Sequence, residues 1–154
     1  PHTANDEYIL GNLAYWVLDK KLKVIIKDAH TKAWYGFIVK GLGGIGINRS
    51  QRNNLVKFVV DEFKKDDFSL VITPEGTRSW VPKWRKGFYN MAIEAKVPIV
   101  IAAGDFKNKT IHLGKQISVH DLETRSFESI MQELEDYYKT ITPKYPEKWN
   151  PKIY

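Results

Sequence analysis

The first residues of the chain, Pro-His-Thr-Ala-Asn-Asp-Glu-Tyr, place one imidazole and two carboxylates within a short stretch. Histidine can accept a proton near neutral pH, and a neighbouring carboxylate fixes its tautomer and stabilises the imidazolium. His2 is therefore a candidate general base that could activate a hydroxyl group. A capped, solvated helix terminus is the structural alternative for the same residues.

Two acids compete for the imidazole of His2. On a continuous helix, Asp6 at i+4 would share the face of His2, whereas Glu7 at i+5 would point away. If the helix instead begins after a turn, Thr3 and Asp6 form a capping pair and Glu7 is left for His2. We expect Glu7 to orient His2, with Asp6 as the alternative partner.

The rest of the chain alternates between helical and strand patterns. Helices are predicted at 8–18, at 32–40 with Thr31 as cap, from 53 or 54 to 65, at 87–95 and at 126–140; strands are predicted at 23–27, 68–73, 97–103 (buried) and 110–119, with a glycine-rich β-type run at 41–49. Such alternation predicts a single α/β domain with a mainly parallel or mixed sheet covered by helices on both faces. The Tyr15–Trp16 pair is expected in the core, and 142–154 is predicted to be an irregular tail.

Polar clusters lie at 2–7, 48–50 and 75–79, and the last two follow apolar runs. If the sheet is parallel, the ends of its strands lie at one edge, so the clusters could converge there. Arg49 and Arg78 would supply guanidinium groups, which bind phosphate oxygens in a bidentate manner. Structural salt bridges from these arginines to Glu75 or Asp28 are the alternative.

Composition narrows the chemistry and the partners. Cysteine is absent and the four histidines are scattered, so we expect no thiolate chemistry and no metal. We also expect no bound cofactor. The net charge of +6 and the pI of about 9.4 favour anionic partners such as nucleic acid, phosphorylated metabolites or an acidic membrane. No apolar run approaches the roughly 20 residues that span a bilayer. Because the chain begins with Pro1, a strand or anchoring helix could precede His2.

Residues 79–89 combine tryptophans with cations. Aromatic rings and basic residues together are typical of bilayer interfaces, so we expect this segment to contact a membrane. Packing of Trp80 and Trp84 in the core is one alternative, and an aromatic-basic platform for nucleic acid is the other. The buried or lipid-facing helix at 8–18 would agree with membrane contact.

Four ordered blocks resemble the glycerolipid acyltransferase family typified by 1-acylglycerol-3-phosphate acyltransferase. They are His2-Thr-Ala-Asn-Asp-Glu7, Gly43-Gly-Ile-Gly-Ile-Asn-Arg49, Pro74-Glu-Gly-Thr-Arg-Ser79 and Val97-Pro-Ile-Val100. The resemblance implies a glycerol-3-phosphate acyltransferase-like domain over 1–154, with its motifs within 1–117 and a C-terminal helix and tail at 118–154. It also implies phospholipid biosynthesis and a cytoplasmic protein peripheral to the inner face of the membrane, with no nucleic-acid partner.

The resemblance implies transfer of a fatty acyl group from acyl-CoA or acyl carrier protein to a hydroxyl of a lysophospholipid-type acceptor. His2 would be the general base, and Arg49, Glu75, Gly76, Thr77 and Arg78 would bind the acceptor, typically through its phosphate. The family has Asp where this chain has Glu7, which is one methylene longer. An acyltransferase for a non-glycerol acceptor and a non-catalytic lipid- or phosphate-binding module are the rival interpretations.

Overall fold

The computed structural model describes residues 1–4, 6–47 and 55–154, except for the side chains of Asp6 and Tyr8. The chain divides into a smaller unit, residues 11–72, and a larger unit that combines residues 1–10 with 73–154. Helices and parallel strands are both present, so the predicted α/β class is confirmed. The assignment of 1–154 to one acyltransferase domain stays a prediction.

The helices and strands follow the predicted order closely. The helices are α1 (Asp6–Val17), α2 (Asp28–Lys32), α3 (Gly36–Gly41), α4 (Leu55–Phe63), α5 (Gly87–Ala95), α6 (Val119–Thr124) and α7 (Phe127–Lys139). The strands are β1 (Leu22–Lys27), β2 (Gly44–Ile47), β3 (Ser69–Val71), β4 (Ile99–Asp105) and β5 (Thr110–Ile117). A short 3₁₀ helix lies at Pro146–Lys148.

The smaller unit contains a three-stranded parallel sheet in the order β2-β1-β3. Gly43 enters this sheet with a φ of +79°, and its carbonyl accepts a hydrogen bond from the N–H of Val24. A Cβ at Gly43 would come within 2.0 Å of the Leu22 carbonyl oxygen, so only glycine fits here. The glycine-rich run therefore allows β2 to pair closely with β1.

The larger unit contains an antiparallel pair formed by β4 and β5. The carboxylate of Asp105 closes the connecting turn by accepting hydrogen bonds from the backbone N–H groups of Lys107 and Asn108. The core of this unit consists of buried apolar side chains from the two strands, α5, α6, α7 and the tail: Ile101, Ile117, Met91, Leu122, Ile130, Met131, Leu134 and Ile153. The amphipathic pattern of α7 explains its place in this core.

Four details differ from the sequence-based predictions. The helix predicted at 32–40 forms instead as α2 and α3, and Thr31 lies inside α2, where its hydroxyl donates to the carbonyl of Asp28. Helix α6 was not predicted, although Ser118 and Asp121 form a capping box.

Trp16 is 79% exposed, so its predicted core position is wrong. Strand β4 exposes alternate side chains, such as Val100, and is buried on one face only.

No helix in the described ranges has both the length and the apolarity needed to cross a bilayer.

Candidate active site

His2 and Glu7 form a close pair in the larger unit. The Nδ1 atom of His2 lies 2.8 Å from the Oε2 atom of Glu7. The His2 side chain is 24% exposed and the Glu7 side chain 15% exposed, so the pair is partly shielded from water. Glu7 therefore has the geometry needed to orient the imidazole; its catalytic role stays a prediction.

The same carboxylate also organises the turn before α1. Oε1 of Glu7 accepts hydrogen bonds from the backbone N–H of Thr3 at 2.9 Å, the backbone N–H of Ala4 at 3.1 Å and the hydroxyl of Thr3 at 3.1 Å. These N–H groups would otherwise be unpaired at the start of a helix. Glu7 thus shapes the turn that holds His2 as well as contacting its ring.

The electrostatic setting keeps Glu7 ionised. Burial favours the neutral acid, but the hydrogen bonds from His2 and Thr3 outweigh it and lower the pKa of the Glu7 carboxyl from its ordinary value of 4.5. An ionised carboxylate only accepts hydrogen bonds, so Nδ1 of His2 must carry the hydrogen that it shares with Glu7. The Nε2 atom of the neutral ring then holds the lone pair, which is the arrangement that a general base requires.

Glu75 connects the second cluster to the first. Its side chain is buried, and its Oε1 atom accepts a hydrogen bond from the backbone N–H of His2 at 2.9 Å. Burial and the nearby negative charge of Glu75 together raise the pKa of Tyr138. The predicted convergence of the clusters at 2–7 and 75–79 is therefore present, and Glu75 supports the position of His2.

The three residues after Glu75 form a tight loop with different local roles. Gly76 has a φ of +67°, and a Cβ there would come within 3.1 Å of the Arg85 guanidinium. The Thr77 hydroxyl accepts a hydrogen bond from the N–H of Ser79 at 3.3 Å. Arg78 lines a pocket. Within this loop, Arg78 thus lines the pocket, while Gly76 and Thr77 support the conformation of the loop; the role of all three in acceptor binding stays a prediction.

Two predicted residues cannot be placed in this geometry. Arg49 lies outside the described residues, and so does the rest of the cluster at 48–50. The backbone of Asp6 begins α1, but its side chain is outside the description, and with it the predicted capping pair of Thr3 and Asp6. The roles of Arg49 and Asp6 stay predictions.

A pocket of about 610 Å³ lies beside the His2 turn. It is lined by Thr3, Ala4, Arg78, Ser79, Lys144, Tyr145 and Lys148. Sequence reasoning missed the last three residues, because it treated 142–154 only as an irregular tail. The density of lysine and tyrosine between Lys144 and Lys148 was the signal that could have identified them.

The two tryptophans of residues 79–89, the segment expected to contact a membrane, differ in exposure. Trp84 is 8% exposed and packs edge-to-face against Phe88 and Tyr138, as the alternative of core packing predicted. Trp80 is 54% exposed. Lys86 lies over the Phe127 ring at 4.2 Å from its centroid. Trp84 and Phe88 therefore anchor the segment in the core, while Trp80 and the basic residues Lys83, Arg85 and Lys86 are exposed.

Among the residues that the structure describes, no three His, Asp or Glu side chains are grouped so that they could hold a metal ion.

Comparison with known protein families gives an independent result for the same region. A model of the acyltransferase family matches residues 2–103. Comparisons with curated proteins and with solved structures gave no significant match. The family match begins at His2 and includes both Glu7 and the loop from Glu75 to Arg78. Because it covers more than half of the chain, the chain belongs to the acyltransferase family.

Proposed function

We propose that this acyltransferase moves a fatty acyl group from an acyl-CoA or acyl carrier protein thioester to a hydroxyl of a lysophospholipid-type acceptor such as 1-acylglycerol-3-phosphate. The observation that supports this most strongly is the contact between His2 Nδ1 and Glu7 Oε2 at 2.8 Å, at the start of a chain segment that matches the acyltransferase family. Family membership supports acyl transfer in general. The donor, the acceptor and the role of His2 are our proposals.

The proposed reaction is a single exchange of a thioester for an oxygen ester. The lone pair on Nε2 of His2 takes the proton of the acceptor hydroxyl as its oxygen attacks the thioester carbonyl carbon. The tetrahedral intermediate collapses with cleavage of the carbon–sulfur bond, and the imidazolium returns the proton to the leaving thiolate. Glu7, held ionised by its hydrogen bonds, stabilises the transient positive charge on the ring.

Acceptor binding in this proposal involves Arg49, Glu75, Gly76, Thr77 and Arg78. Arg78 supports it best, because this cation lines the pocket beside the His2 turn. Glu75 would contribute through the hydrogen bond that its carboxylate accepts from the His2 backbone. Guanidinium groups suit phosphate oxygens because they donate two parallel hydrogen bonds. A phosphate-bearing acceptor therefore agrees with the chemistry of the loop.

The longer acid at position 7 does not separate the pair. The extra methylene of Glu7 spans from α1 back to the His2 ring, and the carboxylate still reaches Nδ1 at hydrogen-bond distance. An impaired pair was the main reason to consider a non-catalytic binding module. The observed contact favours the enzyme over that module.

The direct test is acyl transfer from palmitoyl-CoA to a panel of acceptors. We expect ester formation with 1-acylglycerol-3-phosphate and release of one free thiol for each ester formed. Since the chain contains no cysteine, a thiol-reactive dye detects only the released coenzyme A. Transfer only to an acceptor without glycerol would support the rival acyltransferase. Absence of turnover with CoA and carrier-protein donors, from folded protein, would support the binding module.

We also propose that the smaller unit contacts a membrane surface that supplies the lipid acceptor. Four large apolar side chains around α3 are at least 49% exposed: Trp34, Phe37, Ile38 and Leu42. Clustered exposed apolar residues mark interaction surfaces, and aromatic side chains are favoured at bilayer interfaces. The exposed Lys40 in the same helix would favour anionic lipid. We call these four residues the α3 apolar surface.

The membrane proposal predicts that the double substitution Trp34→Ser and Phe37→Ser weakens binding to vesicles containing phosphatidylglycerol. Burying one side chain of this size contributes about 1.5–3 kcal/mol, so we expect a loss of at least about tenfold. Vesicle co-sedimentation measures this, and Trp80→Ser is the matched control. If Trp80→Ser removes binding while the double variant binds normally, the contact is at residues 79–89 instead.

A further inference from the structure

The pocket beside the His2 turn has three cations in its lining, from two distant parts of the chain. Arg78 comes from the predicted acceptor-binding loop, while Lys144 and Lys148 come from the tail after α7. The ammonium of Lys148 lies 4.1 Å from the centroid of the Tyr145 ring, and that of Lys144 lies 5.7 Å from it. One aromatic ring in the lining of the pocket thus lies near the ammonium groups of both lysines. Both lysines lie beyond residue 103, where the family match ends.

The tail is irregular, but it is fixed to the rest of the larger unit. The N–H of Phe106 donates to the Thr142 carbonyl at 2.9 Å, before the lysines, and the N–H of Trp84 donates to the Ile153 carbonyl at 2.7 Å, after them. Asn150 donates to the carbonyl of Pro82 at 2.8 Å, and Ile153 is 1% exposed. These contacts on both sides fix the backbone segment that carries Lys144 and Lys148 to the rest of the larger unit.

The tail is also joined to the catalytic pair by hydrogen bonds. The backbone N–H of Tyr145 donates to the Thr3 hydroxyl oxygen at 3.4 Å, and the Thr3 hydroxyl donates to Oε1 of Glu7 at 3.1 Å. Glu7 in turn binds the His2 ring. The wall that carries the lysines therefore adjoins the turn that carries the base.

We propose that Lys144 and Lys148, together with Arg78, bind the phosphate monoester of the acyl acceptor in this pocket. The inference rests on the proposed function and extends it to residues that the family match does not include. Three cations around one open pocket suit a dianionic group, and lysine and arginine both bind phosphate. Tyr145 acts as a positioning residue for the two ammonium groups.

Phosphate monoesters occur in both substrates, since coenzyme A carries one as well. Position separates the two sources. In an acceptor of the glycerophosphate type, the phosphate lies only a few bonds from the hydroxyl that reacts, so it must bind close to His2. In the donor, the whole pantetheine arm separates the thioester from the phosphates. A pocket lined by Thr3 and Ala4, next to His2 in the chain, therefore fits the acceptor.

The test measures binding and turnover separately. Calorimetric titration with glycerol 3-phosphate, with glycerol as the uncharged comparison, reads binding without any reaction. We expect Lys144→Gln and Lys148→Gln each to weaken phosphate binding by about tenfold, the loss typical of one charge-assisted hydrogen bond.

In steady-state kinetics the acceptor KM should rise while kcat and the donor KM stay unchanged. Lys148→Arg, which keeps the charge, should restore most of the binding.

Lys152→Gln is the matched control, because Lys152 is exposed in the same tail and does not line the pocket. This substitution also removes one positive charge, and it should leave the affinity for glycerol 3-phosphate and the acceptor KM unchanged. Equal weakening by all three glutamine variants would indicate a general charge effect and overturn the proposal. A rise in the donor KM alone would assign the pocket to coenzyme A and overturn it too.

The result also separates this inference from the proposed function. If binding of glycerol 3-phosphate depends on the lysines but no acyl transfer occurs, the proposed phosphate site is supported and the proposed acyl-transfer reaction is refuted. If acyl transfer to a phosphate-bearing acceptor occurs and the acceptor KM is unchanged in Lys144→Gln and Lys148→Gln, the proposed reaction is supported and the proposed phosphate site is refuted.

Discussion

Replacing His2 with asparagine should reduce acyl transfer by about 10²- to 10⁴-fold, the usual contribution of a general base. The amide nitrogen of asparagine stands where Nδ1 of histidine does, so it can still donate to Oε2 of Glu7. Asparagine has no counterpart of Nε2, the atom that would accept the proton. This substitution therefore removes the proposed base and retains the contact that organises the turn.

The retained contact makes the stability of this variant a control within the same experiment. We expect a melting temperature close to that of the wild type, because Glu7 also keeps its hydrogen bonds from Thr3 and Ala4. His2→Ala should lose activity to a similar extent, also with little change in melting temperature. His120→Asn, at an exposed histidine of the larger unit, is the matched substitution and should be fully active. A fully active His2→Asn enzyme would exclude His2 as the base.

Sequence reasoning brought two pairs of residues together correctly, one through local structure and one through a rule of sheet topology. His2 and Glu7 are five positions apart, and the start of a helix determines their separation once Thr3 and Ala4 form the turn. Glu75 follows strand β3, so the rule that polar groups gather after strand ends predicted its approach to His2. The first relation is local, whereas the second joins segments 73 positions apart and was predicted from the assumed parallel sheet.

The features that sequence reasoning missed depend on distant packing. Tyr145 and Thr3 are separated by 142 positions, and no periodicity in the tail indicates that they meet. The burial of Trp16 and Trp84 also could not be predicted from the sequence, since both lie in apolar or aromatic stretches. Trp84 is buried against Phe88 and Tyr138, while Trp16 is exposed. Side-chain type alone did not distinguish the two environments.

Replacing Glu7 with glutamine should also reduce transfer by about 10²- to 10⁴-fold, through the tautomer of His2. The glutamine amide has one oxygen and one NH₂ group, whereas the Glu7 carboxylate accepts hydrogen bonds at both oxygens. If the amide oxygen faces the N–H groups of Thr3 and Ala4, its NH₂ faces Nδ1 of His2. Nδ1 must then accept a hydrogen bond, which moves the ring hydrogen to Nε2 and removes the lone pair from the reacting side.

Two further variants at this turn separate the effect on the tautomer from other effects. Glu7→Asp keeps the negative charge and introduces the aspartate that the family resemblance implies at this position. It should therefore retain more activity than Glu7→Gln. Asp6→Asn should have a smaller effect than Glu7→Gln, because the Glu7 carboxylate already occupies Nδ1 of His2. Equal, small losses in Glu7→Gln and Asp6→Asn would mean that neither acid orients the base.

The tautomer can be observed directly by ¹⁵N NMR of the imidazole at a pH where the ring is neutral. The wild-type ring should carry its hydrogen on Nδ1, because the pKa of the Glu7 carboxyl is lowered and an ionised carboxylate cannot donate. The Glu7→Gln ring should carry it on Nε2. Loss of activity with the hydrogen still on Nδ1 would refute the tautomer mechanism and leave the charge of Glu7 as the cause. The NMR and kinetic measurements together therefore distinguish orientation of the base from stabilisation of its charged form.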